Sequence, residues 1–161
     1  MLAVRTHLKG EEFFFANYSD ALTDLPLPEY SKACEKKNVV AGFVAVRTWQ
    51  SFHTVSARND GIVSQIGPMR DSEFWLNGGF FRFRHDIFDY IKPGEELVEE
   101  PFQRLIEKEQ LYSYKHEGFW AAMDTLKDKI TFDRMNGRGD TPWMVWKKPA
   151  QRTRVDKTSL P

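Results

Sequence analysis

With 161 residues, of which 41% are hydrophobic and 14% aromatic, the chain can build one sizeable core, which excludes a disordered protein. Its 23 basic and 23 acidic residues cancel, so the net charge gives no reason to expect a nucleic-acid partner. The single cysteine, Cys34, cannot form an internal disulfide, which favours a cytoplasmic location, and no apolar run approaches the roughly 20 residues of a membrane span.

The first 46 residues predict two strands joined by a helix. Residues 1–8 carry apolar positions compatible with the end of a helix, and Phe13–Ala16 is typical of a strand buried on both faces of a parallel sheet. A helix is expected over about 29–37, and the β-branched run 39–46 predicts a second strand. Together these segments predict a βαβ unit.

A hairpin and an interrupted strand are expected next. The runs 51–56 and 62–66 flank the turn 59–61, whose Asp-Gly pair favours the positive φ angle of a hairpin turn, so an antiparallel insertion is predicted. A further strand runs over 74–83. The glycines at 78–79 interrupt it, which indicates either the close approach of a ligand or backbone, or a bulge.

The last third of the chain predicts two more strands between helices. Thr125 and Asp128 have the spacing of a capping box, and the segment 149–161 is a polar, basic tail that we expect to be disordered. The tail lacks interleaved aromatic residues, so a solvated end is preferred over RNA binding. The expected elements are helical spacing over 85–91, a helix over 99–109, strands over 111–116 and 118–124, and a helix to about 136.

Asp20 and Asp124 are the candidate catalytic and metal-binding residues. Each follows an apolar segment that we interpret as a buried strand, and ligands of open α/β sheets bind beyond the carboxyl ends of the strands. Two carboxylates that met there could hold Mg²⁺ on a phosphate, which is the chemistry of phosphoryl and nucleotidyl transfer. The alternative is that each aspartate only caps a helix or turn.

Asn77 and Gly78 are the candidate substrate-binding residues. The Asn77 amide could donate and accept hydrogen bonds to sugar hydroxyls, and a strand bulge is an equally good interpretation of the glycines. Cys34 has no base placed near it by the sequence, so a nucleophilic role is not favoured. A zinc site is not expected, because the histidines lack partners at metal-ligand spacing. They are His7, His53, His85 and His116.

Several short motifs occur in an order that resembles a known family. They are FFANYSDALTD (14–24), NGGFF (77–81), EELVEEPFQRL (95–105), GFWAAMDTLKDK (118–129) and TPWMVW (141–146). In this order they resemble the sugar-1-phosphate nucleotidyltransferases, closest to the glucose-1-phosphate cytidylyltransferase group. The resemblance extends from the start of the chain to about residue 148.

This resemblance implies an α/β fold, an incomplete Rossmann-like (glycosyltransferase-A-like) mixed sheet with flanking helices and an antiparallel hairpin insertion. It also implies a reaction in which a sugar 1-phosphate, such as glucose 1-phosphate, attacks the α-phosphorus of a nucleoside triphosphate, with CTP expected, and pyrophosphate leaves. Asp20 and Asp124 would be the two Mg²⁺ ligands, and Asn77 with Gly78 would line the sugar pocket.

Three departures from the family pattern bear on activity. The Gly-Gly-x-Gly-Thr-Arg loop and downstream lysine that hold the nucleotide have no counterpart, Ala21 stands in place of a glycine, and 66–68 replaces Glu-Lys-Pro. We therefore expect 1–148 to represent the C-terminal portion of a nucleotidyltransferase domain that is inactive alone. The alternative is a non-catalytic relative that binds a sugar phosphate or pairs with a complete paralogue.

Overall fold

The computed structural model describes residues 1–47 and 52–147. The start of the predicted hairpin at Ser51 and the predicted tail 149–161 lie outside these residues. The chain divides into two compact units. We call Met1–Tyr18, Pro26–Val46 and Asn77–His116 the sheet unit, and Ser19–Leu25, Arg47–Leu76 and Glu117–Pro161 the ribbon unit.

Helices are interspersed among runs of two or three strands, and the sheet combines parallel and antiparallel pairs, which confirms the predicted α/β class. The strands are β1 (Phe13–Ala16), β2 (Ala21–Thr23), β3 (Ala41–Val46), β4 (His53–Ala57), β5 (Val63–Pro68), β6 (Leu76–Asn77), β7 (Phe81–Arg84), β8 (Leu111–His116) and β9 (Trp120–Ala122). The α-helices are α1 (Leu27–Lys37), α2 (Glu100–Glu107) and α3 (Leu126–Gly137), and 3₁₀ helices cover Leu2–Leu8, Met69–Asp71 and His85–Asp89. Within the described residues, none of the helices has the length and apolar character needed to cross a membrane.

Strand β3 is the central strand of the sheet unit. It pairs in parallel with β8, where Ala41 lies opposite Leu111, and antiparallel with β7, where Ala41 lies opposite Phe83. Strand β1 pairs antiparallel with β7, and the short β6 also pairs with β3. The sheet is therefore mixed, as the sequence predicted.

The predicted βαβ unit is wrong in one respect, because β1 and β3 are not neighbours. Both run antiparallel to β7, so they point in the same direction with β7 between them. Strand β1 is consequently not buried on both faces, and Phe15 is 45% exposed. Phe81 and Phe83 of β7 are 2% and 0% exposed. Burial of these two rings in the core favours the position of β7 between β1 and β3.

Aromatic and aliphatic side chains from β7, α2, the 3₁₀ helix His85–Asp89 and the start of β3 with the residue before it form one buried cluster. The rings of Phe81 and Phe83 stack with centroids 5.4 Å apart, and Phe102 of α2 meets Phe81 edge-on at 5.9 Å. Burying one such side chain stabilises a fold by about 1.5–3 kcal/mol, so this cluster supplies much of the stability of the sheet unit. Its buried members are Val40, Ala41, Phe81, Phe83, Ile87, Phe88, Phe102 and Leu105.

Helix α1 packs on the sheet through Tyr30 and Cys34, which are 0% and 1% exposed. The Tyr30 hydroxyl accepts a hydrogen bond from the backbone N–H of Arg82 at 3.1 Å. Burial raises the pKa of the Tyr30 phenol and of the Cys34 thiol, so both groups stay protonated at neutral pH. A protonated, buried thiol is a poor nucleophile.

The ribbon unit contains the predicted hairpin, two short strands and α3. Strands β4 and β5 pair antiparallel, with Val55 opposite Ile66, which confirms the insertion. Gly61 has φ +84°, and the Asp60 carboxylate accepts from the Ile62 N–H at 3.1 Å and from the Arg58 guanidinium. These contacts close the turn that the Asp-Gly pair predicted.

The predicted strand over 74–83 is wrong as a single element. It divides into β6 and β7 around Gly78, Gly79 and Phe80, of which Gly79 and Phe80 have φ +74° and +50°. The Gly78 N–H donates to the Val44 carbonyl at 2.8 Å, and the Val44 N–H donates to the Gly79 carbonyl at 3.0 Å. Both residues thus bond to one residue of β3, so the segment forms a bulge.

Gly42 should tolerate no side chain, because a Cβ there would lie 2.4 Å from Cys34 Sγ and 3.2 Å from the Tyr30 hydroxyl. We expect Gly42→Ala to lower the free energy of unfolding by about 1–3 kcal/mol through overpacking, measured by urea unfolding followed by circular dichroism. Gly67→Ala is the control, since a Cβ there meets nothing within 4 Å. Adding Cys34→Ala to Gly42→Ala should recover part of the loss; equal stability of Gly42→Ala and Gly67→Ala would contradict this packing.

Candidate functional site

Asp20 and Asp124 lie at the same end of one antiparallel ribbon. Strand β2 begins directly after Asp20, and β9 ends two residues before Asp124, with Ala21 opposite Ala122. The Met123 N–H extends the pairing by donating to the Asp20 carbonyl at 2.8 Å. The fold therefore brings the backbone of the two predicted metal ligands, 104 positions apart in the numbering, to neighbouring positions, and both side chains are exposed.

The strands around the two aspartates differ from those that the sequence predicted. Asp20 was expected at the end of the buried strand that is now β1, but it lies four residues beyond Ala16 and directly before β2. Strands β2 and β9 have three residues each, of which Ala21 is buried, Leu22 is exposed and the others are half-buried. The two carboxylates thus belong to a separate two-stranded ribbon and not to the carboxyl edge of the main sheet.

Side-chain hydrogen bonds secure the far end of this ribbon. The Phe119 N–H donates to the Asp24 carboxylate at 2.8 Å, and the Phe119 carbonyl accepts from the Asp24 N–H at 3.1 Å. The Thr23 hydroxyl also donates to the Phe119 carbonyl, at 2.7 Å. A two-stranded ribbon is marginal alone, so these bonds help to fix its register and with it the spacing of Asp20 and Asp124.

A capping box fixes the chain just after Asp124. The Asp128 N–H donates to the Thr125 hydroxyl oxygen at 3.2 Å, and the Asp128 carboxylate accepts from the Thr125 N–H at 2.9 Å. Hydrogen bonds from Thr125, with smaller help from the Asp124 N–H and Lys127, hold the pKa of Asp128 below its usual value. Thr125, and not Asp124, is the helix cap, and the predicted capping box is confirmed.

Neither candidate carboxylate is used to hold the fold. Within the described ranges, the side chains of Asp20 and Asp124 make no hydrogen bond or ion pair. Those ranges also contain no group of three or more His, Cys, Asp or Glu residues placed to hold a metal. Two carboxylates are the number that Mg²⁺ commonly takes, with water and phosphate oxygens completing its shell.

Asn77 and Gly78 lie at the bulge of the sheet unit. Asn77 is exposed, and its Oδ1 accepts from the Gly79 N–H at 3.0 Å, which leaves the Nδ2 amide as the donor that faces solvent. Gly78 is buried, and its N–H is bonded to Val44. The structure shows the bulge that was one interpretation of the glycines, and a Cβ on Gly79 would lie 2.8 Å from the Tyr18 ring, so the group that approaches this glycine is a side chain.

Two further residues change the interpretation of the sequence. Asn17 accepts a hydrogen bond from the Phe80 N–H at 3.0 Å, a contact over 63 residues that no local pattern signals. Ala21, which replaces a glycine of the family pattern, is a buried residue of β2 and is absent from the described non-glycine residues with positive φ. The alanine therefore introduces no backbone strain at this position.

An open groove of about 440 Å³ in the sheet unit contains none of the predicted site residues. Arg104 bonds the Tyr90 carbonyl at 2.6 Å and forms a short ion pair with Glu95, whose pKa it lowers to about 2. Arg104 therefore anchors α2 to the preceding loop. The lining residues are Val40, Asp86, Asp89, Tyr90, Arg104, Glu107 and Lys108.

No family model matches the chain, but curated proteins do. A glucose-1-phosphate cytidylyltransferase of Salmonella typhimurium is 32% identical over 149 residues, which cover 89% of this chain and 56% of the relative. A Bacillus subtilis protein named a probable glucose-1-phosphate cytidylyltransferase is 31% identical over 139 residues, which cover 85% and 54%. The chain is homologous to the sugar-1-phosphate nucleotidyltransferases. The family resemblance read from the motifs is thereby confirmed.

The fold agrees with that of a nucleotidyltransferase. A Bacillus anthracis protein described as a candidate glucose-1-phosphate thymidylyltransferase, crystallised with sucrose, aligns with a TM-score of 0.56 at 12% identity. The alignment covers 84% of this chain and 57% of that protein, and at this identity it speaks for the fold alone. The chain spans about half the length of the curated relatives that it matches.

The capping box predicts a pH dependence for the start of α3. Because the pKa of Asp128 is lowered in the folded state, its contribution is complete above its ordinary value of 3.8 and is lost as the pH falls through the folded pKa. We expect Thr125→Ala to cost about 0.5–2 kcal/mol at pH 7 in thermal unfolding. Asp128→Asn should flatten the acid side of the stability profile. If the stability of Asp128→Asn changed with pH below pH 4 in the same way as that of the wild type, the role of the capping box would be contradicted.

Proposed function

We propose that this chain belongs to an enzyme that transfers a nucleotide, CMP from CTP, to a sugar 1-phosphate such as glucose 1-phosphate and releases pyrophosphate with Mg²⁺. The observation that carries the proposal is that relatives named glucose-1-phosphate cytidylyltransferases match 85% and 89% of the chain. Asp20 and Asp124, which the family motifs select, have neighbouring backbone positions at one end of the ribbon, and this supports the assignment.

In this proposal, Asp20 and Asp124 hold the metal ion. Their carboxylates are exposed at one ribbon end and bond to no residue of 1–47 or 52–147, and hard oxygen donors of this kind suit Mg²⁺. When bound, the ion neutralises charge on the phosphate oxygens and aligns the reacting groups for an in-line displacement. The capping box and the bonds of Asp24 fix the backbone of the ribbon that carries the two carboxylates.

The sheet unit contributes to sugar binding through its bulge. Asn77 Nδ2 is the donor that a sugar hydroxyl would meet, because Oδ1 is already occupied by the Gly79 N–H. Gly78 offers no free N–H, since its own donates to Val44, so its contribution is the absence of a side chain beside the bulge. The role of Asn77 is to orient the sugar.

This sequence contains no glycine-rich loop that would bind the phosphates of the nucleotide. None of its 10 glycines forms a Gly-Gly-x-Gly-Thr-Arg sequence, whose backbone N–H groups would hold phosphates. We therefore expect the 161 residues alone to bind Mg²⁺ and the sugar phosphate but to release little pyrophosphate from CTP.

A second function, pairing with another polypeptide, is favoured by the edge of the sheet. Strand β1 pairs with β7 on one side, and no other strand in the described part of the chain pairs with it. An open edge with an exposed aromatic residue, here Phe15, is a template for strand pairing. A catalytic partner that adds a strand at this edge would make the chain a subunit.

Removing either ribbon carboxylate should weaken the metal site. We expect Asp20→Asn and Asp124→Asn each to weaken Mg²⁺ binding by about tenfold or more, measured by isothermal titration calorimetry, because each removes one of two charged ligands. Asp133→Asn is the matched control, an exposed aspartate of the same unit that pairs with Lys129. Any pyrophosphate release from CTP and glucose 1-phosphate should fall in the same two variants. If the wild-type protein bound neither Mg²⁺ nor glucose 1-phosphate, the proposal would be contradicted.

Sedimentation velocity measures whether the chain associates through β1. We expect the wild-type chain to sediment as more than a monomer at micromolar concentration and Phe15→Lys to shift it toward the monomer, because an edge lysine opposes strand addition. Ile106→Lys, at a 54% exposed position of α2, is the control for added charge. A wild-type chain that stays monomeric at every concentration would count against pairing.

A further inference from the structure

The bulge of the sheet unit holds two successive residues in the left-handed region. Gly79 has φ +74° and Phe80 has φ +50°. Glycine adopts this region without strain, but phenylalanine does not, so an interaction elsewhere must hold Phe80 there. Bulges that re-aim a side chain are common beside functional sites, and Asn77 lies immediately before this one.

The loop after β1 supplies that interaction. Asn17 Oδ1 accepts from the Phe80 N–H at 3.0 Å, which gives the donor a partner that the interrupted strand cannot supply. Tyr18, the next residue, lies so close to Gly79 that an added Cβ would meet its ring at 2.8 Å. The Tyr18 ring also meets Phe81 edge-on at 5.4 Å. Asn17 and Tyr18 thus both contact the bulge from the loop after β1, and we call this pair of residues the clamp.

The clamp helps to hold the Asn77 side chain. Asn77 Oδ1 accepts from the Gly79 N–H at 3.0 Å, and the direction of that N–H follows from the φ and ψ angles of the bulge. The next peptide group, between Gly79 and Phe80, is held by Asn17 at its N–H and by Val44 at its carbonyl. Without Asn17 only the Val44 bond holds that group, so the Gly79 N–H is held less firmly toward Asn77. The orientation of Asn77 Nδ2 therefore depends on a residue 60 positions earlier in the numbering.

We infer that Asn17 is a positioning residue for sugar 1-phosphate binding, which holds the bulge so that Asn77 faces the sugar. The inference rests on the function proposed above. Asn17 acts through Phe80 and Gly79 and need not touch the sugar itself. Nothing in the local sequence marks it, because the contact joins the loop after β1 to the segment before β7.

The test measures binding of glucose 1-phosphate to the ¹⁵N-labelled full chain with Mg²⁺, followed at the Gly78 and Gly79 amides. We expect Asn17→Ala to weaken binding by about tenfold, a difference of about 1.4 kcal/mol. Ser31→Ala is the matched control. It also removes a side-chain hydrogen bond of the sheet unit, the one that the Ser31 hydroxyl accepts from Arg82 at 3.0 Å, and Ser31 makes no contact with the bulge residues in the bonds given above. It should leave the affinity unchanged at a comparable loss of thermal stability.

A rescue variant separates positioning from direct contact. Phe80→Gly removes the strain at the bulge, so the double variant Asn17→Ala/Phe80→Gly should regain most of the lost affinity. If Asn17→Ala does not fold, Asn17→Gln keeps the amide but displaces its oxygen and should weaken binding in the same way. Wild-type affinity in Asn17→Ala, equal weakening in Ser31→Ala, or failure of the rescue would each overturn the role. If the wild-type chain does not bind glucose 1-phosphate, the proposed sugar site itself is wrong, whatever the variants do.

Discussion

The sheet unit depends on a buried cation. Arg82 is 5% exposed; its Nε donates to the Ser31 hydroxyl, its Nη2 donates to Glu35, both at 3.0 Å, and the ring of Phe13 lies 4.1 Å from its guanidinium. A buried charge without such partners would cost several kcal/mol, so α1 must pack where these partners meet β7. Because the side chains of a strand alternate, fixing Arg82 on one face directs its neighbours on β7 into the core on the other.

Strand β7 connects this cation to the bulge. Phe80 lies two residues before Arg82, whose backbone N–H is bonded to the Tyr30 hydroxyl at 3.1 Å. The strand after Phe80 is therefore fixed through the Arg82 backbone, and the Gly79–Phe80 peptide group is held by Asn17 at its N–H and by Val44 at its carbonyl. A local strain of this kind persists only where the surroundings determine the backbone more than once, as these bonds do here.

Local patterns predicted the elements better than their arrangement. The capping box at Thr125, the Asp-Gly turn and strand β8 follow from side chains a few residues apart, and each was found. The insertion of β7 between β1 and β3 was missed, because pairing across some 40 to 70 residues leaves no periodicity in the sequence. The motifs selected Asp20 and Asn77, but Asn17 was missed for the same reason as β7.

Both candidate sites lie where a regular ladder of backbone hydrogen bonds fails. At the bulge, Asn17 and Asn77 accept from N–H groups that no strand pairs, and at the ribbon, Asp24 and the Thr125–Asp128 box do the same at the two ends of β9. Where a strand is interrupted, polar side chains can take the place of the missing strand partner. The side chains that accept these bonds fix the backbone next to the exposed groups, which are the carboxylates of Asp20 and Asp124 and the Asn77 amide. That division between anchoring and available polar groups is what pre-organised binding requires, because a site held by its neighbours loses little conformational freedom when a ligand arrives.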